Sequence, residues 1–262
     1  MTKTALITGA SSGIGCELAR IFAKDGCNLV LVARRRRQLE ELAAELCAKH
    51  SISATVIEKD LASPRSPQEI FDELRNRSIH IDILVNGAGT HVYGEFQVTD
   101  FEKELQLIHV NLVSLTHMSK LAVAEMLKRG GGKILNLGSI GSFAPSPLNA
   151  IYCATKAYVL SFSEGIAKDL EGTGITVTVL CPGATATEFP VKAQIEDTRL
   201  FRALVMDAET VAKIGYRALM RGKRVVAAGL YNKLTVFMIR FTPRWLILIL
   251  GKFLMGKNKR LV

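Results

Sequence analysis

From Thr210 to Val262 the chain has no aspartate and no glutamate, yet it carries twelve lysines and arginines there. Removing those twelve from the 34 basic residues leaves 22 against 24 acidic ones. The main body is therefore nearly neutral, and the net charge of +10 belongs to the last fifth of the chain. Such asymmetry calls for an anionic partner at the C-terminus: membrane lipid, or the phosphates of CoA or an acyl carrier. The charges are interleaved with aliphatic residues and form no polar stripe with stacking aromatics, so no nucleic-acid partner is expected. The five cysteines (Cys16, Cys27, Cys47, Cys153, Cys181) form no CxxC pair and have no metal-type spacing with histidine. They read as reduced thiols of a cytoplasmic protein, and no metal site is expected. No charged segment followed by a long apolar run opens the chain, so no signal peptide is expected. There is also no internal repeat and no low-complexity linker, and 48% hydrophobic residues suit one well-packed domain rather than a disordered chain.

What the chain does have is alternation. Short β-branched runs at Thr4–Thr8, Asn28–Ala33, Ala54–Glu58, Ile81–Val85, Lys133–Leu137 and Thr176–Leu180 alternate with helical patterns. The helices are expected at Gly13–Asp25, Gln38–Lys49, Pro67–Asn76, Asp100–Lys128 and Tyr152–Leu170. Runs such as Leu29-Val30-Leu31-Val32 and Ile83-Leu84-Val85 are apolar throughout. Strands of that kind are buried on both faces, as in a parallel sheet covered by helices. The fold class is α/β, a Rossmann-like doubly wound parallel sheet. Its expected bounds are residues 1–230, with a C-terminal amphipathic helical extension over 231–262.

The chemistry-bearing motifs sit at the strand ends. Thr8-Gly9-Ala10-Ser11-Ser12-Gly13-Ile14-Gly15 joins the first strand to the first helix. Its glycines permit a tight turn and close approach to a pyrophosphate, and the helix N-terminus offers N–H groups and a positive dipole end. After the second strand come Arg34-Arg35-Arg36-Arg37 and no carboxylate. An acid there would bind a ribose 2′-hydroxyl, whereas arginine accommodates a 2′-phosphate. Arg36 and Arg37 can be balanced along the helix by Glu40 and Glu41. Asp60-Leu61 follows the third strand, Asn86-Gly87-Ala88-Gly89 the fourth, and Cys181-Pro182-Gly183-Ala184-Thr185-Ala186-Thr187 the sixth. Tyr152 and Lys156 stand at i and i+4, on one helix face. A phenol titrates near 10, and a neighbouring ammonium would bring it closer to neutral. Ser139 lies just beyond the fifth strand, and Asn111 lies within the long helical stretch.

The TGxxxGxG loop together with Asn111, Ser139 and the YxxxK pair resembles the short-chain dehydrogenase/reductase family over about residues 4–190. The cofactor-strand end and the basic apolar tail look like its NADP-dependent branch that includes 3-ketoacyl reductases. The resemblance implies an NADP(H)-dependent oxidoreductase interconverting a carbonyl and a secondary alcohol. It implies Tyr152 as general acid or base, Lys156 as modulator of its pKa and ribose contact, Ser139 as the group orienting the carbonyl, and Asn111 as the anchor of a relay water. The cofactor set it implies is Gly9, Ser11, Ser12, Gly13, Ile14, Gly15, Arg34, Asp60, Leu61, Asn86, Ala88, Gly89, Tyr152, Lys156, Pro182, Gly183, Thr185 and Thr187. Arg34 is the residue expected at the 2′-phosphate, with Ser12 as helper, and Thr187 supplies a hydroxyl to the carboxamide. Gly87 stands where the family usually has asparagine.

Substrate selection falls to Ile140–Asn149 and to a lid over Phe189–Asp207. Phe189, Val191, Ile195, Leu200, Phe201 and Leu204, with Phe143, Leu148 and Ile151, favour an apolar carbonyl such as a 3-oxoacyl or other lipid-like substrate. The family resemblance also implies a homo-oligomer, dimer or tetramer. Leu234–Met255 reads as two short amphipathic helices, with Thr242-Pro243 capping the second. Its longest uncharged run, Trp245–Gly251, falls far short of the ~20 residues that span a bilayer. With Lys252, Lys257, Lys259 and Arg260 flanking, this segment (234–260) fits a peripheral membrane contact, a subunit interface, or a lid on the substrate channel. A non-catalytic NADP(H)-binding sensor or scaffold acting through the tail is the alternative to an enzyme.

Overall fold

The computed structural model describes residues 2–203 and 205–257. Chain order begins β1 (Thr4–Thr8), α1 (Gly13–Lys24), β2 (Asn28–Ala33), α2 (Arg36–Lys49), β3 (Ala54–Glu58), α3 (Ser66–Asn76) and β4 (Ile83–Asn86). A single long helix follows in three parts: α4 (Phe101–Ile108), a π-helical segment (His109–Ser114) and α5 (Leu115–Lys128). Next come β5 (Gly132–Leu137), a 3-10 turn (Ile140–Ser142), α6 (Ala150–Asp169) and β6 (Ile175–Cys181). The remainder is β7 (Thr185–Ala186), α7 (Glu188–Lys192), α8 (Arg199–Ala203), β8 (Met206–Asp207), α9 (Ala208–Met220), β9 (Val225–Ala227), α10 (Leu230–Ile239) and α11 (Arg244–Met255).

Seven strands pair in the order β3-β2-β1-β4-β5-β6-β9, all parallel, and β7 pairs with β8 in a small separate ladder. Successive side chains on a strand point to opposite faces, and both faces are filled. Ala5 and Ile7, with Leu29 and Leu31, pack under α1, α2 and α9 through Leu18, Phe22, Leu39 and Val211. Leu6, Val30 and Val32 pack on the other side against Ile70, Phe71, Met118 and Met126. The doubly wound sheet expected from the apolar runs is therefore present, with most element ends within two residues of expectation. The order reverses between β1 and β4, and a crevice opens beyond the carboxyl ends of those two strands, where such folds bind ligands.

Two local readings change. Asp100–Lys128 is not uniformly α-helical, because its backbone widens to π-helix around Asn111. Thr242 does not cap α11: its hydroxyl donates back to the Met238 carbonyl at 2.9 Å, and Pro243 is itself the N-cap residue. Phe101–Lys128 is long and apolar enough to pass as a membrane span, but its Leu107, Leu115, Met118, Ala122 and Met126 are core residues. Lys259, Arg260 and Leu204 lie outside the described residues.

Polar side chains cross the sheet in one buried network. Asn86 Nδ2 donates to Asn136 Oδ1 (2.8 Å) and to Ser119 Oγ (3.0 Å), and Asn136 Nδ2 donates to Ser163 Oγ (2.9 Å). Every member is buried, so removing one strands its partners away from water. Asn136→Ala is expected to lower unfolding free energy by about 2–4 kcal/mol in urea titration. A change below the error of that measurement would show that the network carries no net stability.

Candidate active site

The junction of β1 with β4 builds the floor of the crevice. Thr8 Oγ1 donates to the Val85 carbonyl (3.2 Å) and accepts from the Gly87 and Ala88 amides (3.0 and 3.1 Å). The backbones pass so closely that a Cβ on Gly15 would lie 2.4 Å from the Gly9 carbonyl oxygen. One on Gly87 would lie 2.6 Å from that of Thr8. Asparagine, which the family resemblance would place at Gly87, has no room in this backbone conformation. Gly9 is also in the left-handed region, at φ +70°.

A cleft of about 730 Å³ runs from this loop to the C-terminal helices. It gathers every expected site residue except Asn86 and Asn111. Asn86 is buried in the cross-sheet network, and its side chain holds the strands rather than facing the cleft. Asn111 is fully buried behind the cleft wall. Its Oδ1 accepts from the Thr90 amide (2.9 Å), while its Nδ2 donates to the Thr90 carbonyl (3.0 Å) and to Thr155 Oγ1 (3.3 Å). It clamps the loop after β4 to α6.

At the nucleotide end, Ser12 is the N-cap of α1, but its side chain makes no cap bond, and the first turn has no acid. The helix therefore presents uncapped N–H donors and a positive dipole end to the cleft, which suits a pyrophosphate. Arg36 and Arg37 pair with Glu40 and Glu41 along α2. Arg34 and Arg35 both line the cleft. Arg34 is largely exposed and lies 3.9 Å from Asp60. Arg35 is more enclosed: it donates to Ser11 Oγ and to the Ser11 carbonyl (3.1 Å each from Nη2) and to Glu188 on α7 (2.8 Å). The structure thus places a second guanidinium, not singled out from the sequence, on the phosphate loop itself.

At the reacting end, Lys156 is buried and Tyr152 half-buried on one face of α6. Lys156 Nζ donates to the Leu137 carbonyl (2.8 Å) and sits 5.7 Å from the Tyr152 ring centre. Desolvation pushes the ammonium down to about 8. Burial likewise pushes the Tyr152 phenol above its ordinary value, and the neighbouring Ser139 hydroxyl pulls it partly back. Burial is thus the larger influence on the phenol in the cleft. Ser139 also accepts from the Gly141 amide (3.0 Å), which fixes the 3-10 turn beside it. Thr187 Oγ1 accepts from the Phe189 amide (3.1 Å) and starts α7 while still lining the cleft.

His91 was not anticipated, although it directly follows the Gly89-Thr90 segment at the end of β4. Its ring lies 4.4 Å from that of Tyr152 and 5.8 Å from that of Phe189. Its Nδ1 and the Asn149 Oδ1 beside it are buried without a well-formed hydrogen bond. Burial holds the imidazole down to about 4, against an ordinary 6.5, so it is neutral at pH 7. The outer wall is apolar. Phe189, Ile195, Leu200 and Phe201 line it, whereas Val191 faces solvent and Phe143 packs into the core against Leu115 and Val159. α11 closes this end by docking on the lid: Tyr93 donates to the Met255 carbonyl (2.7 Å), and Arg199 to that of Phe253 (2.8 Å).

The depressed His91 value has a stability consequence. Between about 4 and 6.5 the unfolded chain binds a proton that the folded chain does not. The full contribution is present above pH 6.5 and is lost as pH falls to about 4, amounting to about 3 kcal/mol. Urea unfolding across that range should show a flatter profile for His91→Phe than for wild type, and parallel profiles would remove His91 from the acid response.

Comparison with known proteins agrees with this geometry. The sequence model of the short chain dehydrogenase family matches residues 3–198. Sulfoacetaldehyde reductase 2 of Chromohalobacter salexigens is 34% identical over 221 residues, covering 82% of this chain and 87% of that protein. The structure of a short-chain dehydrogenase from Sphingobium yanoikuyae in complex with NADPH superposes with a TM-score of 0.81 at 33% identity, over 91% of this chain and 94% of the other. A bulky-bulky ketone specific alcohol dehydrogenase from Comamonas testosteroni gives 0.77 at 32% identity, over 91% and 93%. The chain belongs to the short-chain dehydrogenase family and is an NAD(P)(H)-using oxidoreductase acting on alcohol and carbonyl groups.

Proposed function

We propose that the chain is an NADP(H)-dependent reductase of an apolar ketone, of the size and character of a lipid-like or 3-oxoacyl substrate. The observation that carries this reading is the continuity of the cleft. A Ser139–Tyr152–Lys156 constellation lies between a phosphate loop flanked by two guanidiniums and a chamber walled by aliphatic and aromatic side chains. Arg34 and Arg35 have the charge and forked geometry that a 2′-phosphate requires, and no acid follows β2 to reject it. Named relatives act on carbonyls as different as a sulfonated aldehyde and a bulky ketone, so the preference must come from this chain's own wall.

Bound nicotinamide would supply the hydride. The protein's share is to place the carbonyl and furnish the proton. Ser139 donates a hydrogen bond to the substrate oxygen and holds it at the Tyr152 hydroxyl. The phenol gives its proton to that oxygen as the carbon is reduced, and it is recharged from solvent. The phenol is protonated over the neutral range, as a proton donor must be, although burial makes it a weaker acid. Lys156, still mostly an ammonium at pH 7, limits the cost of the phenolate left behind. Asn111 acts at one remove, by fixing Thr90 and α6. His91 and Asn149 offer two unsatisfied polar atoms to a substrate group next to the reacting oxygen. A binding-only role would leave the tyrosine–lysine pair and the apolar chamber without use.

Tyr152→Phe is expected to reduce turnover of a bulky aryl or alkyl ketone by about 10²–10⁴-fold while NADPH binding persists. Retained turnover would transfer the proton role elsewhere. Arg34→Ala and Arg35→Ala are each expected to weaken NADPH binding about tenfold or more and to leave NADH binding little changed. Equal losses for both cofactors, read by nicotinamide fluorescence, would refute the 2′-phosphate assignment.

A further inference from the structure

The outer surface of α10 and α11 is unusually apolar for a surface. Leu234 and Phe237 on α10, Phe241 in the turn after it, and Trp245, Ile249 and Phe253 on α11 are each more than half exposed. Around them stand Lys233, Arg240, Arg244 and Lys252, all exposed, and none forms an ion pair among the described residues. No acid occurs anywhere in the sequence from Thr210 onward. We infer that this face is a peripheral docking surface for an anionic lipid bilayer, on which the two helices lie flat.

Three features favour lipid as the occupant. The first is charge. A two-fold contact between copies of this chain would set the same patch against itself and bring unpaired cations onto cations. An anionic headgroup layer neutralises them instead. The second is length. Helices of 10 and 12 residues extend about 15 and 18 Å, too short to cross a bilayer but suited to lying in its interface. The exposed apolar residues recur at helical spacing on each helix (230, 234 and 237; 245, 249 and 253), so each presents one continuous face, and Phe241 in the turn lies between the two. The third is continuity with the cleft. Met238, Leu250 and Leu254 line the chamber and are also 40–52% exposed, so the apolar chamber runs out into the docking face. An apolar ketone dissolved in the bilayer would reach the chamber without crossing water. That last consequence rests on the proposed function, whereas the docking itself does not.

The chain contains one tryptophan, Trp245, and it stands 64% exposed in the middle of this face. Its emission therefore reports what covers the face. The test is flotation and Trp245 fluorescence with vesicles of equal parts phosphatidylglycerol and phosphatidylcholine, compared with pure phosphatidylcholine. Wild type should float with the anionic vesicles, with a blue shift of Trp245, and bind pure phosphatidylcholine much more weakly. Replacing Lys233, Arg240, Arg244 and Lys252 by glutamine should weaken anionic-vesicle binding about tenfold or more. Phe237→Ser with Phe241→Ser should abolish insertion. Circular dichroism and NADPH binding show that each variant is folded. Vesicle binding is read without turnover, so failure to reduce any ketone would leave the docking result standing. Absence of flotation and of a blue shift with anionic vesicles overturns the inference. So does a Trp245 emission already blue in buffer that shifts red on dilution, because a second copy of the chain would then be the occupant.

Discussion

The whole site depends on how closely two strand ends are allowed to approach. Thr8 closes β1 by tying its hydroxyl to Val85, Gly87 and Ala88, beyond the last ladder pair of Thr8 with Asn86. Gly15 and Gly87 leave no space for side chains between the passing backbones. This junction sits at the reversal of strand order, so α1 leaves on one side of the sheet and the β4 loop on the other. The uncapped end of α1, the Ser139 turn and the Tyr152 face of α6 then converge on one crevice without any of them being strained toward it. A side chain inserted at Gly15 would push apart the two elements that define the crevice, so its effect would exceed the volume it adds.

Burial sets the electrostatics of the reacting end. Tyr152 and Lys156 share a desolvated environment, which disfavours the charged form of each. At pH 7 the pair is therefore a neutral phenol beside an ammonium whose charge is held less firmly than in water. Charge developing on one is compensated by the other at short range and low dielectric. The nearby thiols follow the same logic: burial pushes Cys153 up to about 11 and Cys181 up to about 12, which leaves both protonated and inert. His91 adds a polar group that is neutral at pH 7, so Lys156 carries the charge at the reacting end.

The sheet was legible because strands buried on both faces are written as uninterrupted apolar runs, and Leu29–Val32 and Ile83–Val85 cannot be mistaken for amphipathic helices. The cleft loops were legible because glycine spacing reflects backbone crowding. Less accessible were features that depend on where a side chain turns. Arg34 and Arg35 are neighbours in the sequence, yet only the trajectory into α2 decides that Arg35 folds onto Ser11 while Arg34 leans toward Asp60. Asn86 resembles a cofactor contact by its place at the end of β4, but the register with Asn136 turns it into the sheet. Phe143 and Val191 were apolar in the right segments and still point elsewhere, because a segment's composition does not give its face. The short strand β9 was missed: it is three residues long, between a glycine-containing turn and α10, with too few positions to show a period.

The C-terminal helices join these strands of argument. α11 is held by main-chain carbonyls near its end, Phe253 and Met255, through Arg199 on α8 and Tyr93 on the loop after β4. Arg199 also lies 4.3 Å from the centre of the Phe253 ring. The lid and α11 are therefore tied by these directional contacts and by Met255, which packs with Ala193 and Ile195 in a small apolar cluster separate from the two large ones on the sheet faces. Elements fastened in this way open at lower free energy than the core to which they are attached. The outward face of α11 is the apolar one, and its inward face borders the chamber. α11 itself walls the chamber through Ile247, Leu250 and Leu254, and its end packs through Met255 against Ala193 and Ile195 of the lid. The chamber wall and the exposed apolar surface are consequently two faces of the same short helix.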